Sequence, residues 1–157
     1  MPHATTAEMR EALKTALLRR ASVVLATVSD RGEPSTAFCS WVAVADADTI
    51  AVALDSRSTA HRNINEGRRR VALEVMADGS NLSVRGDAAV VKEQMTSVPF
   101  PCALVVVSID EVRDHGVDGV TFTAPRYVFA DDKQHRGHVE RAIFEELGRA
   151  TLSGDDA

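Results

Sequence analysis

The chain has 157 residues, 45% of them hydrophobic and 26% charged, a balance that suits one globular domain with a sizeable core and excludes a disordered chain. A net charge of −5 and an aromatic content of 4% exclude a broad nucleic-acid-binding surface, which needs a basic field and stacking rings.

Residues 6–20 read as a helix, with Met9, Leu13, Ala16 and Leu17 on one face and Thr5 with Glu8 as a capping box. This N-terminal stretch carries Glu8 and Glu11 and no apolar signal-peptide core, which points to a cytoplasmic protein. Ser22 to Val28 is rich in β-branched residues and reads as a strand. A polar turn ending at Pro34 leads to a second strand, Ser35 to Ala45, and a short link leads to a third, Thr49 to Leu54, as an antiparallel hairpin. Ser58 to Glu66 suits a short helix, capped by Ser58 or Thr59 and ended by Gly67. Strands follow at Arg70 to Met76 and Leu82 to Val91, the second with Gly86 as a bulge or close-packing point.

The longest uncharged run, Gln94 to Ile109, is short and broken by Pro99 and Pro101, so no membrane span is expected. Further strands are expected at Cys102 to Val112 and Val120 to Phe129, joined by a turn at His115 to Gly119. Val139, Ile143 and Leu147 recur at helical spacing in residues 136–149, and Asp155 and Asp156 read as a frayed end. The expected fold is therefore mainly β. It has six or seven short antiparallel strands in one domain over 1–157, a barrel over 22–129 and a flanking helix at each end.

The chemistry concentrates between Leu54 and Val71. Ser56, Ser58 and Thr59 supply hydroxyls, and Arg57, Arg62, Arg68, Arg69 and Arg70 form a basic island in an acidic chain. A strand end, a hydroxyl-rich turn and a helix start make a phosphate cradle. The bland alternative is a helix cap at Ser58 and a solvated face at Arg68 to Arg70. His61 is either a ligand contact or, more simply, an exposed imidazole. His135 and His138 stand three apart, but no carboxylate pattern completes a metal site. Cys39 and Cys102 form no CxxC pattern and read as buried reduced thiols. No Gly-x-Ser-x-Gly elbow, Walker or Gly-x-Gly-x-x-Gly motif is present.

Val24-Leu-Ala-Thr-Val-Ser-Asp-Arg-Gly-Glu-Pro34, then Ser58-Thr-Ala-His-Arg-Asn-Ile64, a basic turn, Val71-Ala-Leu-Glu-Val75 and Val84-Arg-Gly-Asp-Ala-Ala-Val-Val91 follow in a set order. In that order and spacing the chain resembles the pyridoxamine 5′-phosphate oxidase-like family of flavin-binding split barrels, over roughly Ser22 to Phe129. The resemblance implies a split-barrel homodimer with cofactor sites at the subunit interface. It implies FMN-dependent hydride transfer to or from a small-molecule substrate. Its alternatives are a deazaflavin- or haem-binding relative, or a non-catalytic cofactor-binding or stress protein. By the same resemblance, Ser58, Thr59, Arg62 and Asn63 stand at the cofactor phosphate, with Arg57 and His61 adjacent. Ser40 and Trp41 stand near the ring, although Trp41 equally suits the core or the dimer interface. No catalytic side chain is implied, because the cofactor carries the redox chemistry. In the family, a lysine often stands where this chain has Ala60, and a cationic residue near Ala37. Each missing charge-assisted bond corresponds to about 1.5–3 kcal/mol.

Overall fold

Alternation along the strands decides which side of each faces the core. In the computed structural model, which describes residues 6–150, Val23, Leu25 and Thr27 of β1 (Ser22–Val28) point inward and are buried, while Val24 and Ala26 point outward. The remaining strands are β2 (Pro34–Cys39), β3 (Val42–Asp46), β4 (Thr49–Leu54), β5 (Arg70–Ala77), β6 (Ser80–Lys92) and β7 (Ala103–Asp114). They form one sheet in the order β2-β1-β5-β6-β7-β4-β3, with every neighbouring pair antiparallel. The sheet curls into a split β-barrel, so that β2 also touches β4. Three helices flank it: α1 (Thr6–Leu18), α2 (Thr59–Asn65) and α3 (Arg136–Gly148).

Two apolar clusters hold these parts together. The inner one gathers Val23, Leu25, Ile50, Val52, Leu73, Val75, Leu82, Val84, Val105 and Val107 from the strands. Leu13 and Leu17 of α1 and Ala60 and Ile64 of α2 complete it. The second lies on the other side of β4 and β7, where Ala51, Ala53, Leu104 and Val106 meet Ile143 and Leu147 of α3. Burying a leucine or isoleucine of this kind contributes about 1.5–3 kcal/mol, so each helix is held by its apolar stripe and not by propensity alone.

Gly86 is a point of close approach between β6 and β7. A Cβ there would lie 2.1 Å from the Ser108 carbonyl oxygen, and the strand register shifts between Arg85 and Gly86. Only a residue without a side chain lets the two backbones come together at this bulge.

Two expected elements differ from the sequence reading. The strand expected over Ser35 to Ala45 is broken at Ser40 and Trp41 into β2 and β3. β2 pairs with β1 and β3 with β4, at opposite edges of the sheet, and one straight strand cannot serve both. The strand expected over Val120 to Phe129 is absent; residues 115–130 form an irregular strap. The neighbouring strands β6 and β7 already have partners on both sides, so neither offers a free edge to receive it. The strap is instead pinned singly: Gly79 N donates to Phe122 O, Ala124 N to Asp78 Oδ1, and Ser22 Oγ to Pro125 O. The Thr5 half of the capping box and the acidic end at Asp155 and Asp156 lie outside the described residues.

Candidate functional site

α2 is built so that one face holds the fold and the other is presented to solvent. Ser58 is its N-cap, with extended backbone and an Oγ that accepts from His61 N at 3.1 Å. Gly67 ends the unit at φ +98°, a left-handed conformation that favours glycine. Ala60, His61, Asn63 and Ile64 are buried, whereas Thr59 and Arg62, three residues apart and therefore neighbours on the helix surface, are exposed.

The eight residues singled out from the sequence divide accordingly. Asn63 is turned into the protein, where its Nδ2 donates to Thr27 Oγ1 at 3.0 Å and ties α2 to β1. Arg57 is committed to Asp55: its backbone N, Nε and Nη2 reach the carboxylate at 2.8, 3.0 and 2.9 Å. These bonds, the guanidinium's first, lower the Asp55 carboxyl to about 2 and leave the pair neutral as a unit. His61 is not the exposed imidazole that its sequence context suggests. It is buried, with Nε2 at 3.3 Å from Glu93 Oε2 but not aligned for a hydrogen bond. Arg62, by contrast, makes no side-chain hydrogen bond or ion pair among the described residues, and Thr59 beside it is equally open.

Around α2 the basic island is partly neutralised. Arg70 pairs with Asp110 and, at 3.6 Å, with Asp87. Arg68 and Arg69 donate to the carbonyls of Glu66 and Ala88, which takes up hydrogen bonds without cancelling charge. Ala60 packs in the inner core, so the helix position where the family often has a lysine faces apolar side chains here.

Ser40 and Trp41 form the link between β2 and β3. Ala53 N donates to Trp41 O at 3.0 Å, which sets the link beside the end of β4 and the turn that leads into α2. The Trp41 ring stacks on Phe100, with centroids 6.0 Å apart, and its Nε1 donates to Glu140 Oε1 at 2.9 Å. Tyr127 OH donates to the same oxygen at 2.8 Å. Burial and then the Glu140 carboxylate push the Tyr127 phenol above its ordinary value, so it remains a donor at neutral pH. The sequence reading did not single out Glu140 or Tyr127. The legible signal was a glutamate in register with Ile143 and Leu147, a carboxylate on an apolar stripe.

The assembled site is a turn and short helix presenting Ser58, Thr59 and Arg62, beside a strand break whose one tryptophan is locked in place. It offers hydroxyl donors and the Arg62 guanidinium, a donor set suited to an anionic group on an organic molecule. Among the described residues no three His, Cys, Asp or Glu side chains converge as metal ligands, and no helix is long and apolar enough to cross a membrane.

Solved structures with the same fold include an FMN-binding protein from Syntrophomonas wolfei subsp. wolfei, at 15% identity and TM-score 0.59, covering 70% of this chain and 88% of that one. An F420 reductase aligns at 21% identity and TM-score 0.53, covering 64% of this chain and 94% of its own. HutZ, the haem storage protein of Vibrio cholerae, aligns at 14% identity and TM-score 0.54, over 68% of this chain and 94% of its own. At these identities the likeness speaks for the fold alone. No curated protein matches the chain. A family model described as pyridoxamine 5′-phosphate oxidase matches residues 9–116, more than half of the chain, which therefore belongs to that family of split barrels.

Proposed function

We propose that the chain is a flavin-dependent oxidoreductase that binds FMN as a homodimer, with the cofactor's phosphate at the α2 turn. The observation that carries this reading is the uncommitted Arg62 guanidinium beside Thr59 on the outer face of α2, in a chain of this family. The donor set fits a phosphate monoester: Ser58 and Thr59 supply hydroxyls, and Arg62 supplies charge. A bound flavin supplies hydride transfer between a reduced donor and a small acceptor. The chain's own contribution is to hold the phosphate end and to wall the ring end. Trp41, fixed by Phe100 and Glu140, keeps one orientation and excludes water there. Asn63 and Arg57 act one step back, holding the helix and the turn in shape. The outer face of β1 and β2, with Val24, Val28 and Phe38, supplies an apolar surface for a second copy.

Titration of FMN into the protein, followed by quenching of flavin fluorescence, tests this reading. Saturable quenching is expected, weakened about tenfold or more in Arg62→Ala by loss of one charge-assisted bond. Protein that leaves FMN fluorescence unchanged at high concentration overturns it. A deazaflavin is the second reading, favoured by Arg68 and Arg69, whose carbonyl partners leave their charge available to a longer acidic tail. Tighter binding of F420 than of FMN by the same sample selects it, and a haem absorbance band in freshly purified protein rejects both.

A further inference from the structure

A groove of about 570 Å³ lies between the end of α1, the turn joining β5 to β6, and the strap at Ala124 to Arg126. None of its lining residues comes from α2 or from the strand break at Ser40 and Trp41. Its volume falls in the range of about 300–1,000 Å³ typical of small-molecule sites. The floor is small and apolar, with Ala16 and Ala21 buried, and the rim carries the exposed guanidiniums of Arg19, Arg20 and Arg126. The acid among the lining residues, Asp78, is already satisfied by Ala124 N at 2.9 Å and by Arg126 Nη2 at 2.6 Å. Arg20 lies over the Phe144 ring at 4.5 Å and 4.0 Å from Glu140. Arg19 makes no side-chain hydrogen bond or ion pair among the described residues, though its charge helps hold Asp78 ionised. In a chain of net charge −5, a groove lined by three guanidiniums and one acid, with Arg126 paired to that acid and Arg19 and Arg20 in excess, is a local reversal of sign.

The apolar floor and the basic rim together set the ligand chemistry. We infer that this groove is a second binding site, for a small organic anion with a flat apolar body and a phosphate or carboxylate group. The body lies on the alanines, and the anionic group meets Arg19 and then Arg126. The strap forms one wall and is pinned by Ser22 Oγ donating to Pro125 O at 3.3 Å. Because Tyr127 follows Arg126 directly and donates to Glu140, which also accepts from Trp41 Nε1, a ligand here is linked through Tyr127 and Glu140 to the strand break. The inference stands on the groove alone and does not depend on which cofactor the α2 turn takes.

Calorimetric titration of 1-naphthyl phosphate into the full chain tests it. A saturable site is expected that persists in Arg62→Ala, where the phosphate-monoester donors of the α2 turn are weakened, and that is itself weakened about tenfold in Arg19→Ala and in Arg126→Ala. Thr15→Trp, at an exposed α1 position that lines the groove, should abolish binding while circular dichroism and melting stay as in the parent. The neutral 1-naphthylmethanol and inorganic phosphate should each bind about tenfold more weakly or worse, since each lacks one half of the recognition. Binding that survives Thr15→Trp, that is lost in Arg62→Ala, or that the neutral compound reproduces overturns the inference. So does the absence of saturable heat up to about 10 mM probe.

Discussion

At the scale of single residues, Glu140 ties the strap at Tyr127 to the strand break at Trp41. It is the shared acceptor of Trp41 Nε1 and Tyr127 OH, and it is buried. Glu140→Ala should cost about 2–3 kcal/mol, because two donors lose a charged acceptor and the indole N–H is left half-buried without one. The fall in urea midpoint measures this, and the single tryptophan should emit further to the red. Glu140→Gln keeps an acceptor and should lose less than half as much. Arg62 belongs to the same scale but to binding: Arg62→Ala should weaken FMN and leave the melting temperature unchanged. What was legible in the sequence at this scale was type and not direction. The cap at Ser58 and the basic charge could be read directly, because they follow from local pattern. That Asn63 turns inward to Thr27, that His61 is buried and that Arg57 is spent on Asp55 depend on packing partners 36 residues away or on rotamers, which pattern does not carry.

At the scale of elements, boundaries follow from local chemistry and pairings do not. β1 and β4 coincide with the runs read from sequence, and α2 begins and ends at its cap and its left-handed glycine. The break at Ser40 and the strap beyond Asp114 escape the sequence because both depend on which sheet edges are free. α3 carries an element-level prediction through Glu146. Burial pushes its carboxyl up, but the hydrogen bonds from Ser97, Thr96 and Lys92 outweigh this and hold it below its ordinary value of 4.5. A depressed folded value means that the stabilisation is complete above pH 4.5 and is lost as pH falls through the folded value. Urea midpoints measured downward from pH 6 should therefore fall more steeply for the parent than for Glu146→Gln, whose amide does not titrate. Parallel profiles would show that the anchor between α3 and the Thr96–Ser97 turn does not titrate with folding.

At the scale of the whole molecule, β1 and β2 present an apolar outer face to solvent. Phe38 is 60% exposed there and stands opposite Val24 in the pairing of β1 with β2. An aromatic ring left in water beside valines is costly, and a second copy covering it removes that cost. Light scattering at micromolar concentration should give a dimer for the parent and a monomer for Phe38→Asp, with the far-ultraviolet spectrum unchanged. A folded variant that remains dimeric would move the interface elsewhere. The barrel class was legible from strand count and spacing, since short strands with hairpin links leave few other arrangements.

The two-residue link at Ser40 and Trp41 has a consequence for how the barrel is put together. β2 and β3 are consecutive in the chain yet stand at opposite ends of the sheet order. The chain therefore consists of two local hairpins, β1 with β2 and β3 with β4, that dock on the two sides of the β5-β6-β7 meander. Local hairpins close in microseconds, whereas docking across about fifty residues is slow, so the link is a seam that is sealed last. A chain severed between Ser40 and Trp41 leaves every strand pairing within or between intact fragments. Fragments 1–40 and 41–157, mixed in solution, should recover the parent's circular dichroism, as two halves of a clasp that needs no continuous backbone at its catch.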